Sequence, residues 1–278
     1  IFTTQGKELH EVRSISKLIV SICIGIAIDS CEYYVDNVQL GLNTRIWSTF
    51  REKVNIVNIN NTNYLEKITI KNLLTQTTGF TNDELLFSYS IKNQDIDKLL
   101  DYVFNEPISA EPGKLFIYSN ASAFILSAFF QELTGVNLYE FAQRFLFKPL
   151  NISYHSWINY GKYCAGATGL FLRIEDVHKL GKLMLNNGIW NKKQIISKNF
   201  ITEMTKNQVK INDEKWQTHR LSPIAYGFFI WINNGGYYVT GARGQYVIIN
   251  PTKKTVMSIL SNQENTIPLL DCIKNIII

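Results

Sequence analysis

The longest apolar stretch of the chain, from Leu18 to Ile28, predicts a helix that is buried on all sides. It is interrupted only by Ser21 and ends at Asp29. A helix that is hydrophobic all round normally lies in a protein core. The stretch is well short of the roughly 20 residues needed to cross a bilayer, so a central core helix fits better than a membrane span. We expect this helix to begin at Arg13 and the rest of the chain to be organised around it.

Helical periodicity and end signals predict further helices up to about residue 208. Glycines and prolines mark several ends, with Gly79 and Gly135 as C-caps and Pro107 as a stop. The region between Cys31 and Tyr64 is irregular, and we expect loops with short helical pieces there. The predicted helices are Ile68–Leu74, Gln94–Phe104, Ser119 to about Gly135, Asn137–Phe147, Ile174–Asn187 and Lys198–Lys206.

After Pro223 the pattern changes to short strands separated by turns. The predicted strands are Tyr226–Ile232, Tyr237–Thr240, Gln245–Asn250 and Thr255–Ser261, with hairpin turns at residues 234–236 and 251–254. An apolar segment, Ile267–Ile278, is expected to be a helix that covers this sheet. Helices followed by an antiparallel meander predict an α+β fold. We expect one domain over residues 1–278, with a helical body at about 13–208 and the sheet with its covering helix at about 224–278.

Composition favours a globular protein and argues against a nucleic-acid partner. The chain has 278 residues, of which 46% are hydrophobic and 18% are charged, which is ample material for a core. Its net charge is +5, but the basic residues are scattered rather than clustered in the stripe that a nucleic-acid surface needs. The cysteines show no C-x-x-C spacing, and the histidines (His10, His155, His178 and His219) form no metal-ligand pattern. We therefore expect neither a metal nor an organic cofactor.

Ser14 and Lys17 stand three positions apart at the polar entrance of the core helix, so they share one helix face. The positive end of the helix dipole favours an alkoxide or an oxyanion at Ser14. Partial desolvation disfavours the charged form of Lys17 and lowers its pKa. An amine near neutrality beside a hydroxyl is a general base beside a nucleophile. A lone S-x-x-K is more often a helix cap with a solvated lysine, so the chemistry needs support from elsewhere in the chain.

That support comes from two further stretches, Tyr118-Ser119-Asn120 and Val239-Thr240-Gly241. With Ser14-Ile15-Ser16-Lys17, their order and spacing resemble the penicillin-recognising serine hydrolases. That family includes class C β-lactamases, D-alanyl-D-alanine carboxypeptidases, β-lactamase-like esterases and nylon-oligomer hydrolases. The resemblance covers nearly the whole chain and implies a β-lactamase-like α+β fold. Other segments that resemble the family are Leu73–Gly79 (its L-L-T-H-T-S-G), Pro112–Asn120 (its P-G-x-x-F-x-Y-S-N), Lys148–Leu150, Ala167–Asp176 and Gly241–Pro251.

The resemblance implies catalysis through an acyl-enzyme. Ser14 would attack a carbonyl, and Lys17 would assist its deprotonation. Tyr118 would act with Lys17 as the base, pass the proton to the leaving group and later activate water. A phenol suits this role only with a lowered pKa, which the cationic character of Lys17 is expected to supply.

The resemblance also implies a set of substrate-binding residues. Asn120 would hydrogen-bond the amide of the substrate and orient Lys17. Thr240, Gly241 and Ala242 would form the substrate-binding strand, where Gly241 lets the strand approach the substrate without a side chain in the way. The backbone N–H groups of Ser14 and Ala242 would form the oxyanion hole.

Two departures from the family pattern qualify the expected activity and fold. Relatives often carry Lys or His where this chain has Val239, which supplies no cation for a substrate carboxylate. We therefore expect weak turnover of penicillins and cephalosporins, unless Arg243 turns into the cleft and contacts the carboxylate instead. Relatives also place a helix and sheet strands before the S-x-x-K helix, whereas only thirteen residues precede Ser14 here. We expect those strands to be missing, at most one short strand before Ser14, and a sheet built mainly from residues after Tyr226.

Three functions remain open from the sequence. The leading one is a serine hydrolase that forms an acyl-enzyme on an ester or amide. The alternatives are a cell-wall D-alanyl-D-alanine carboxypeptidase or β-lactamase, and a non-catalytic protein of the same fold that binds peptidoglycan or peptides. The expected partner is a small molecule or peptide with a carbonyl centre, and the oligomeric state is left open. The compartment is also left open, although relatives are often exported to the periplasm or beyond.

Overall fold

The computed structural model describes residues 8–211 and 221–277. His219, residues 1–7 and the last residue of the predicted helix Ile267–Ile278 lie outside these ranges. The strands, numbered in chain order, are β1 (His10–Glu11), β2 (Tyr34–Val35), β3 (Val38–Gln39), β4 (Ser156–Trp157), β5 (Asn159–Tyr160), β6 (Tyr163–Cys164), β7 (Leu170–Leu172), β8 (Ile189–Trp190), β9 (Lys193–Gln194), β10 (Val209–Lys210), β11 (Ala225–Tyr226), β12 (Trp231–Asn233), β13 (Gly236–Gly241), β14 (Gln245–Asn250) and β15 (Thr255–Ile259). The helices are α1 (Ser16–Ser30), α2 (Trp47–Phe50), α3 (Thr62–Leu65), α4 (Ile70–Leu74), α5 (Leu99–Asn105), α6 (Ala121–Thr134), α7 (Leu138–Ala142), α8 (Ile174–Leu185), α9 (Lys198–Met204) and α10 (Ile267–Ile277).

Helix α1 lies in the core, as its uninterrupted apolar pattern predicts. Every residue from Ser16 to Gly25 is buried, and so is Ala27. Helix α6 contacts α1 and buries its first ten residues. Both helices end in the left-handed conformation that closes many helices, α1 at Cys31 and α6 at Gly135. The two buried helices fix the positions of their N-terminal ends, where the S-x-x-K and Tyr-Ser-Asn motifs lie.

The main sheet is a six-stranded antiparallel meander, β10 to β15, with neighbouring strands adjacent in the chain. Strands β12 to β15 all follow Tyr226, as predicted, and β10 and β11 extend one edge. Helix α8 packs on the sheet, where Gly181 leaves room for Val247 and Val256. A second sheet has the order β1-β7-β4, and β1 is the one strand before Ser14 among the described residues. The architecture is therefore α+β.

The predicted strand Tyr226–Ile232 is wrong, because the chain leaves the sheet between β11 and β12. Gly227 passes so close to Met204 that a Cβ on it would lie 2.1 Å from the Met204 carbonyl oxygen. The Phe228 amide donates to that same carbonyl at 3.0 Å, and the Phe229 amide, in a residue with φ of +58°, donates to Leu74 O at 2.9 Å. This detour docks the sheet onto the ends of α4 and α9.

Other predicted boundaries shift for local reasons. Helix α4 is capped at its start by Thr69 and ends before Gln76, whose φ is +58°, so Gly79 does not cap it. The segment predicted as one helix over Gln94–Phe104 begins as a 3₁₀ turn and becomes α5 at Leu99. Three two-stranded hairpins (β2-β3, β5-β6 and β8-β9) were not predicted, because each strand is only two residues long.

Candidate active site

Ser14 lies in a tight 3₁₀ turn, Arg13–Ile15, directly before α1. Arg13 has φ of +52°, a conformation that side-chain-bearing residues rarely adopt. Several hydrogen bonds hold this turn. Ser16 Oγ donates to Arg13 O at 2.6 Å, and Arg13 Nη1 is 2.8 Å from Glu11 Oε2. The other oxygen of Glu11 accepts from Thr168 Oγ1 at 2.9 Å and from the Gly169 amide at 3.1 Å, so one carboxylate ties the serine turn to a neighbouring segment.

Lys17 points from the first turn of α1 to the Ser14 hydroxyl. Its Nζ donates to Ser14 Oγ at 3.1 Å and to Asn120 Oδ1 at 2.7 Å. The side chain is 1% exposed, and burial lowers the pKa of the amine to about 7. A large fraction of Lys17 is therefore neutral near pH 7, where the amine can accept a proton from the hydroxyl that it contacts.

Asn120 holds Lys17 from the N-terminal end of α6. Its amide oxygen accepts from Lys17, while its Nδ2 donates to Leu86 O at 3.0 Å and its backbone amide donates to Leu85 O at 3.1 Å. The predicted orientation of Lys17 by Asn120 agrees with this arrangement. The predicted contact from Asn120 to the amide of a substrate stays a prediction, because Nδ2 has a second N–H besides the one that donates to Leu86.

Tyr118 lies against the same pair of residues. Its ring centroid is 4.8 Å from Lys17 Nζ, and its hydroxyl is hydrogen-bonded to Ser14. The side chain is only partly buried, because one side lines the cleft, yet its surroundings raise the pKa of the phenol to about 12. The expected lowering of this pKa by Lys17 is wrong, since burial raises the pKa of the phenol and outweighs the hydrogen bond from Ser14, which lowers it. The resting phenol is protonated.

Gln76 fixes the turn that carries Tyr118 and Asn120. Its side chain forms a two-way bond with the Ser119 backbone, in which Nε2 donates to Ser119 O at 2.9 Å and Oε1 accepts from the Ser119 amide at 3.4 Å. It also hydrogen-bonds Tyr226, which packs edge-on against Tyr118 with ring centroids 6.3 Å apart. Gln76 is 1% exposed. It occupies the position of the histidine in the L-L-T-H-T-S-G segment that this chain resembles.

The end of β13 closes the site on the other side of Ser14. A Cβ on Gly241 would lie 2.5 Å from Val12 O and 2.9 Å from the Arg13 side chain. Because Gly241 has no side chain, the strand can pack closely against the serine turn. This packing is a second reason for a glycine here, besides the predicted approach to a substrate. This contact brings the neighbouring Thr240 and Ala242 into the cleft that Ser14 lines.

Gln245 secures the turn that follows Gly241. Its Nε2 donates to Ala242 O at 3.3 Å and also to Ser261 O, while its Oε1 accepts from the Ser261 amide at 3.1 Å. Ser261 Oγ in turn donates to Arg243 O at 2.8 Å. The buried glutamine thus joins the β13–β14 turn to the loop after β15.

These elements surround a cleft of about 600 Å³. Six of the eight predicted site residues line it, and Lys17 and Asn120 are buried behind Ser14. Val239 is buried and does not line the cleft, whereas Arg243 lines it and donates from Nη1 to Asn262 Oδ1 at 3.1 Å. The lining residues are Ser14, Thr81, Asp83, Phe87, Phe116, Ile117, Tyr118, Trp231, Thr240, Gly241, Ala242, Arg243, Gly244, Tyr246, Glu264 and Thr266.

Within the two described ranges, no cluster of three or more His, Cys, Asp or Glu side chains is arranged to hold a metal ion. In the same ranges no helix has both the length and the apolar character needed to cross a membrane.

Comparison with known proteins identifies the family. The profile of the family described as Beta-lactamase matches residues 3–271. The chain belongs to the beta-lactamase family. Members of this family are generally serine hydrolases. A search of curated proteins found no match to this chain.

Solved structures share the beta-lactamase fold of the chain. A provisionally named 6-aminohexanoate-dimer hydrolase from Bacillus anthracis has a TM-score of 0.75 and 21% identity, covering 99% of this chain and 74% of that one. EstCE1, described as a hydrolase with promiscuous acyltransferase activity, has a TM-score of 0.73 and 16% identity, covering 96% and 84%. A penicillin-binding protein from Bacillus halodurans has a TM-score of 0.70 and 16% identity, covering 100% and 89%. At these sequence identities the structural similarity shows a shared fold alone.

Sequence reasoning did not assign a role to three side chains that hold this beta-lactamase-family site together. Gln76 and Gln245 lie inside two segments that resemble the family, Leu73–Gly79 and Gly241–Pro251. The resemblance of these segments was therefore the sequence feature that could have indicated both residues. Glu11 lies outside all the motifs, and its partner Thr168 is 157 positions away. A contact over such a distance leaves no periodic trace in the sequence.

Proposed function

We propose that the chain is a serine hydrolase that forms an acyl-enzyme on Ser14 with an ester or amide substrate. The observation that carries this proposal is the contact of 3.1 Å between Ser14 Oγ and the buried Lys17 Nζ. Asn120 holds the same amine from the other side at 2.7 Å. A nucleophile, a base and a group that orients the base are the three parts that covalent catalysis by a hydroxyl requires.

In the acylation step, Ser14 Oγ bonds to the substrate carbonyl carbon while its proton passes to Lys17 Nζ. Lys17 suits this role better than Tyr118, because burial lowers the pKa of the amine to about 7 and raises that of the phenol to about 12. The negative charge that develops on the carbonyl oxygen is stabilised by the backbone N–H groups of Ser14 and Ala242.

The leaving group departs with a proton, and water then releases the acyl group. Tyr118 is hydrogen-bonded to Ser14 and contacts Lys17, so its hydroxyl relays a proton from Lys17 to the departing oxygen or nitrogen. In deacylation, the water that attacks the ester carbon passes one proton to Lys17 through the Tyr118 hydroxyl. Ser14 recovers its proton when the acyl–oxygen bond breaks, which returns the site to its starting state.

Two features favour a hydrolase of esters or amides over an efficient β-lactamase or carboxypeptidase. Val239 is buried and apolar, so it offers no cation to a substrate carboxylate. Arg243 lines the cleft, but its guanidinium donates to Asn262 on an exposed surface. We expect weak binding of benzylpenicillin, and tight binding that disappears in Arg243→Ala would favour the β-lactamase alternative.

The test is intact mass after incubation with a fluorophosphonate, a p-nitrophenyl ester or benzylpenicillin. We expect an adduct on the wild-type protein and none on Ser14→Ala. Ser21→Ala is the matched control, because Ser21 lies in α1, the helix that follows Ser14, is buried and has no hydrogen-bond partner among the described residues. That variant is expected to form the adduct like the wild type.

The outcome separates the three open functions. An adduct that depends on Ser14 and is then released supports the hydrolase, and the reacting probe indicates the branch of the family. No adduct with any probe on a folded protein contradicts the proposal. Binding of peptidoglycan fragments that survives Ser14→Ala would instead favour a binding protein.

A further inference from the structure

The cleft joins an aromatic wall to acidic groups. The ring of Trp231 stacks on Tyr118 with centroids 5.6 Å apart, and Phe116 packs edge-on against Trp231 at 5.9 Å. Phe87 and Tyr246 also line the cleft. Trp231 and Tyr246 are at most 3% exposed and back the wall, so a ligand reaches the partly exposed rings of Phe87, Phe116 and Tyr118. Aromatic faces of this kind bind apolar groups and attract cations.

The charge of the cleft is opposite to that of the whole chain. Two carboxylates, Asp83 and Glu264, line it, and Arg243 is the one cation among its lining residues, all of which lie in the described part of the chain. The chain as a whole carries +5. Lys17, behind Ser14, is about half protonated at pH 7, because burial lowers its pKa to about 7, so the two carboxylates still outweigh the positive charge of Arg243 and Lys17 together.

The two carboxylates come from two separate, anchored loops. Asp83 precedes Leu85 and Leu86, whose carbonyl oxygens accept from Asn120. Glu264 follows Gln263, whose amide donates to Arg243 O at 3.1 Å. This second loop also carries Asn262, which engages the guanidinium of Arg243. Both acidic groups are thus attached to the segments that build the site.

We propose that the preferred substrates carry an ammonium group, held by Asp83, Glu264 and the aromatic wall, rather than a carboxylate. This inference rests on the proposed function and names its substrate class. A cation at the cleft gains from the two carboxylates and from the aromatic faces, whereas a carboxylate gains only from Arg243, which already donates to Asn262.

The experiment compares three p-nitrophenyl esters whose acyl chains have equal length. The chains end in trimethylammonium, in the neutral tert-butyl isostere or in carboxylate. We expect kcat/KM for the ammonium ester to exceed that for the neutral ester about fivefold at low salt, and the advantage to shrink at high salt, since exposed carboxylates act through water. The carboxylate ester is expected to be the slowest of the three.

Two variants and one control assign the preference to these residues. Glu264→Gln and Asp83→Asn are each expected to reduce the ammonium-to-neutral ratio about twofold, and the double variant to abolish the preference. Glu175→Gln removes one negative charge at an exposed position on α8, outside the cleft, and is expected to keep the ratio of the wild type.

Each result has one consequence. A preference for ammonium that is lost in the cleft variants and kept in Glu175→Gln supports the inference. Ser14-dependent hydrolysis of the neutral ester with equal or lower activity on the ammonium ester overturns the substrate class and leaves the proposed function intact. Absence of Ser14-dependent hydrolysis of all three esters overturns the proposed function and the inference with it.

Discussion

Lys17 is an ionisable residue in a place where charge is costly, and this placement sets the pH dependence of the proposed chemistry. Its amine is buried between Ser14 and Asn120, and burial lowers its pKa from 10.5 to about 7. Only the neutral amine can take the proton of Ser14. The fraction of active enzyme therefore follows the deprotonation of one residue.

We predict that the acylation rate rises with pH through a midpoint near 7 and then reaches a plateau. Below the midpoint Lys17 is protonated in the folded protein, so the rate falls about tenfold for each pH unit. The measurement is the burst phase of p-nitrophenolate release from a single turnover at a series of pH values. A rate that stays flat between about pH 5 and 9 would show that Lys17 is not the base.

The same burial predicts that Lys17→Met stabilises the protein while abolishing acylation. The folded pKa of Lys17 is depressed, so at high pH, where the amine is neutral in both states, its burial costs little. The cost grows as pH falls below 10.5 and is complete below about 7. We expect the free energy of unfolding to rise by about 1–3 kcal/mol at neutral pH, with the gain shrinking toward pH 10. Urea unfolding at several pH values measures this, and a loss of stability in Lys17→Met at neutral pH would contradict it.

At the scale of elements, the site depends on how one strand end is held against one helix start. Gly241 contacts Val12 and Arg13, and Gln245 joins the turn after Gly241 to Ser261. The amide of Ala242, the proposed oxyanion donor, lies within this turn. Its position therefore depends on a side chain that does not itself line the cleft.

We predict that Gln245→Leu lowers the acylation rate roughly tenfold or more, because the oxyanion donor loses its fixed position. The free energy of unfolding is expected to fall by about 1–3 kcal/mol, since the backbone partners of the Gln245 amide are left without a hydrogen bond. Gln194→Leu is the matched control, because Gln194 also donates to two backbone oxygens, those of Asn187 and Ile196, but away from the cleft. A similar loss of acylation rate in both variants would show that only stability matters.

The sequence predicted elements where a local pattern determines them and missed those set by contacts between distant segments. The apolar run of α1 and the C-cap Gly135 of α6 are local signals, and both helices form, although α1 begins at Ser16 after a 3₁₀ turn and not at the predicted Arg13. The break between β11 and β12 depends on the carbonyl oxygens of Met204 and Leu74, which no local pattern reports. The role of Gln76 was missed for a similar reason, because its partner Ser119 lies 43 positions away in the chain.

For the site itself, the motifs indicated which residues meet but not their protonation. Lys17 and Asn120 are bonded as expected from the resemblance. The raised pKa of Tyr118 could not be predicted, because it depends on how closely Tyr226 and Trp231 enclose the ring. The hydrogen bond from Asn120 to Leu86 could not be predicted either, because it depends on a loop whose course follows from the folded core.

At the scale of the whole molecule, Glu132 connects three parts of the structure at the far end of α6 from Asn120. Its carboxylate binds Lys53 and lies 2.8 Å from Lys162 Nζ, and it accepts from Tyr163 Oη at 2.6 Å. Although partial burial acts to raise the pKa of Glu132, these partners outweigh it and lower the pKa to about 2. The helix that presents Asn120 is thus held at both ends.

We predict that Glu132→Gln costs about 1–2 kcal/mol of stability at neutral pH, a value reduced by the solvent that screens this partly exposed group. The folded pKa is depressed, so the contribution is present above the unfolded value of about 4.5 and is lost as pH falls toward 2. Urea unfolding of both proteins between about pH 7 and 2 should show two curves that converge at low pH. A constant difference between them would contradict the assignment to this carboxylate.

The most direct test of the central claim is to trap the acyl group on Ser14. The protein is mixed with a p-nitrophenyl ester, quenched in acid during the burst, digested and analysed by mass spectrometry. We predict that the peptide containing Ser14 gains the mass of the acyl group, and that this species is absent from Ser14→Ala. A burst without an acylated Ser14, or an acyl group found on another residue, would contradict the account.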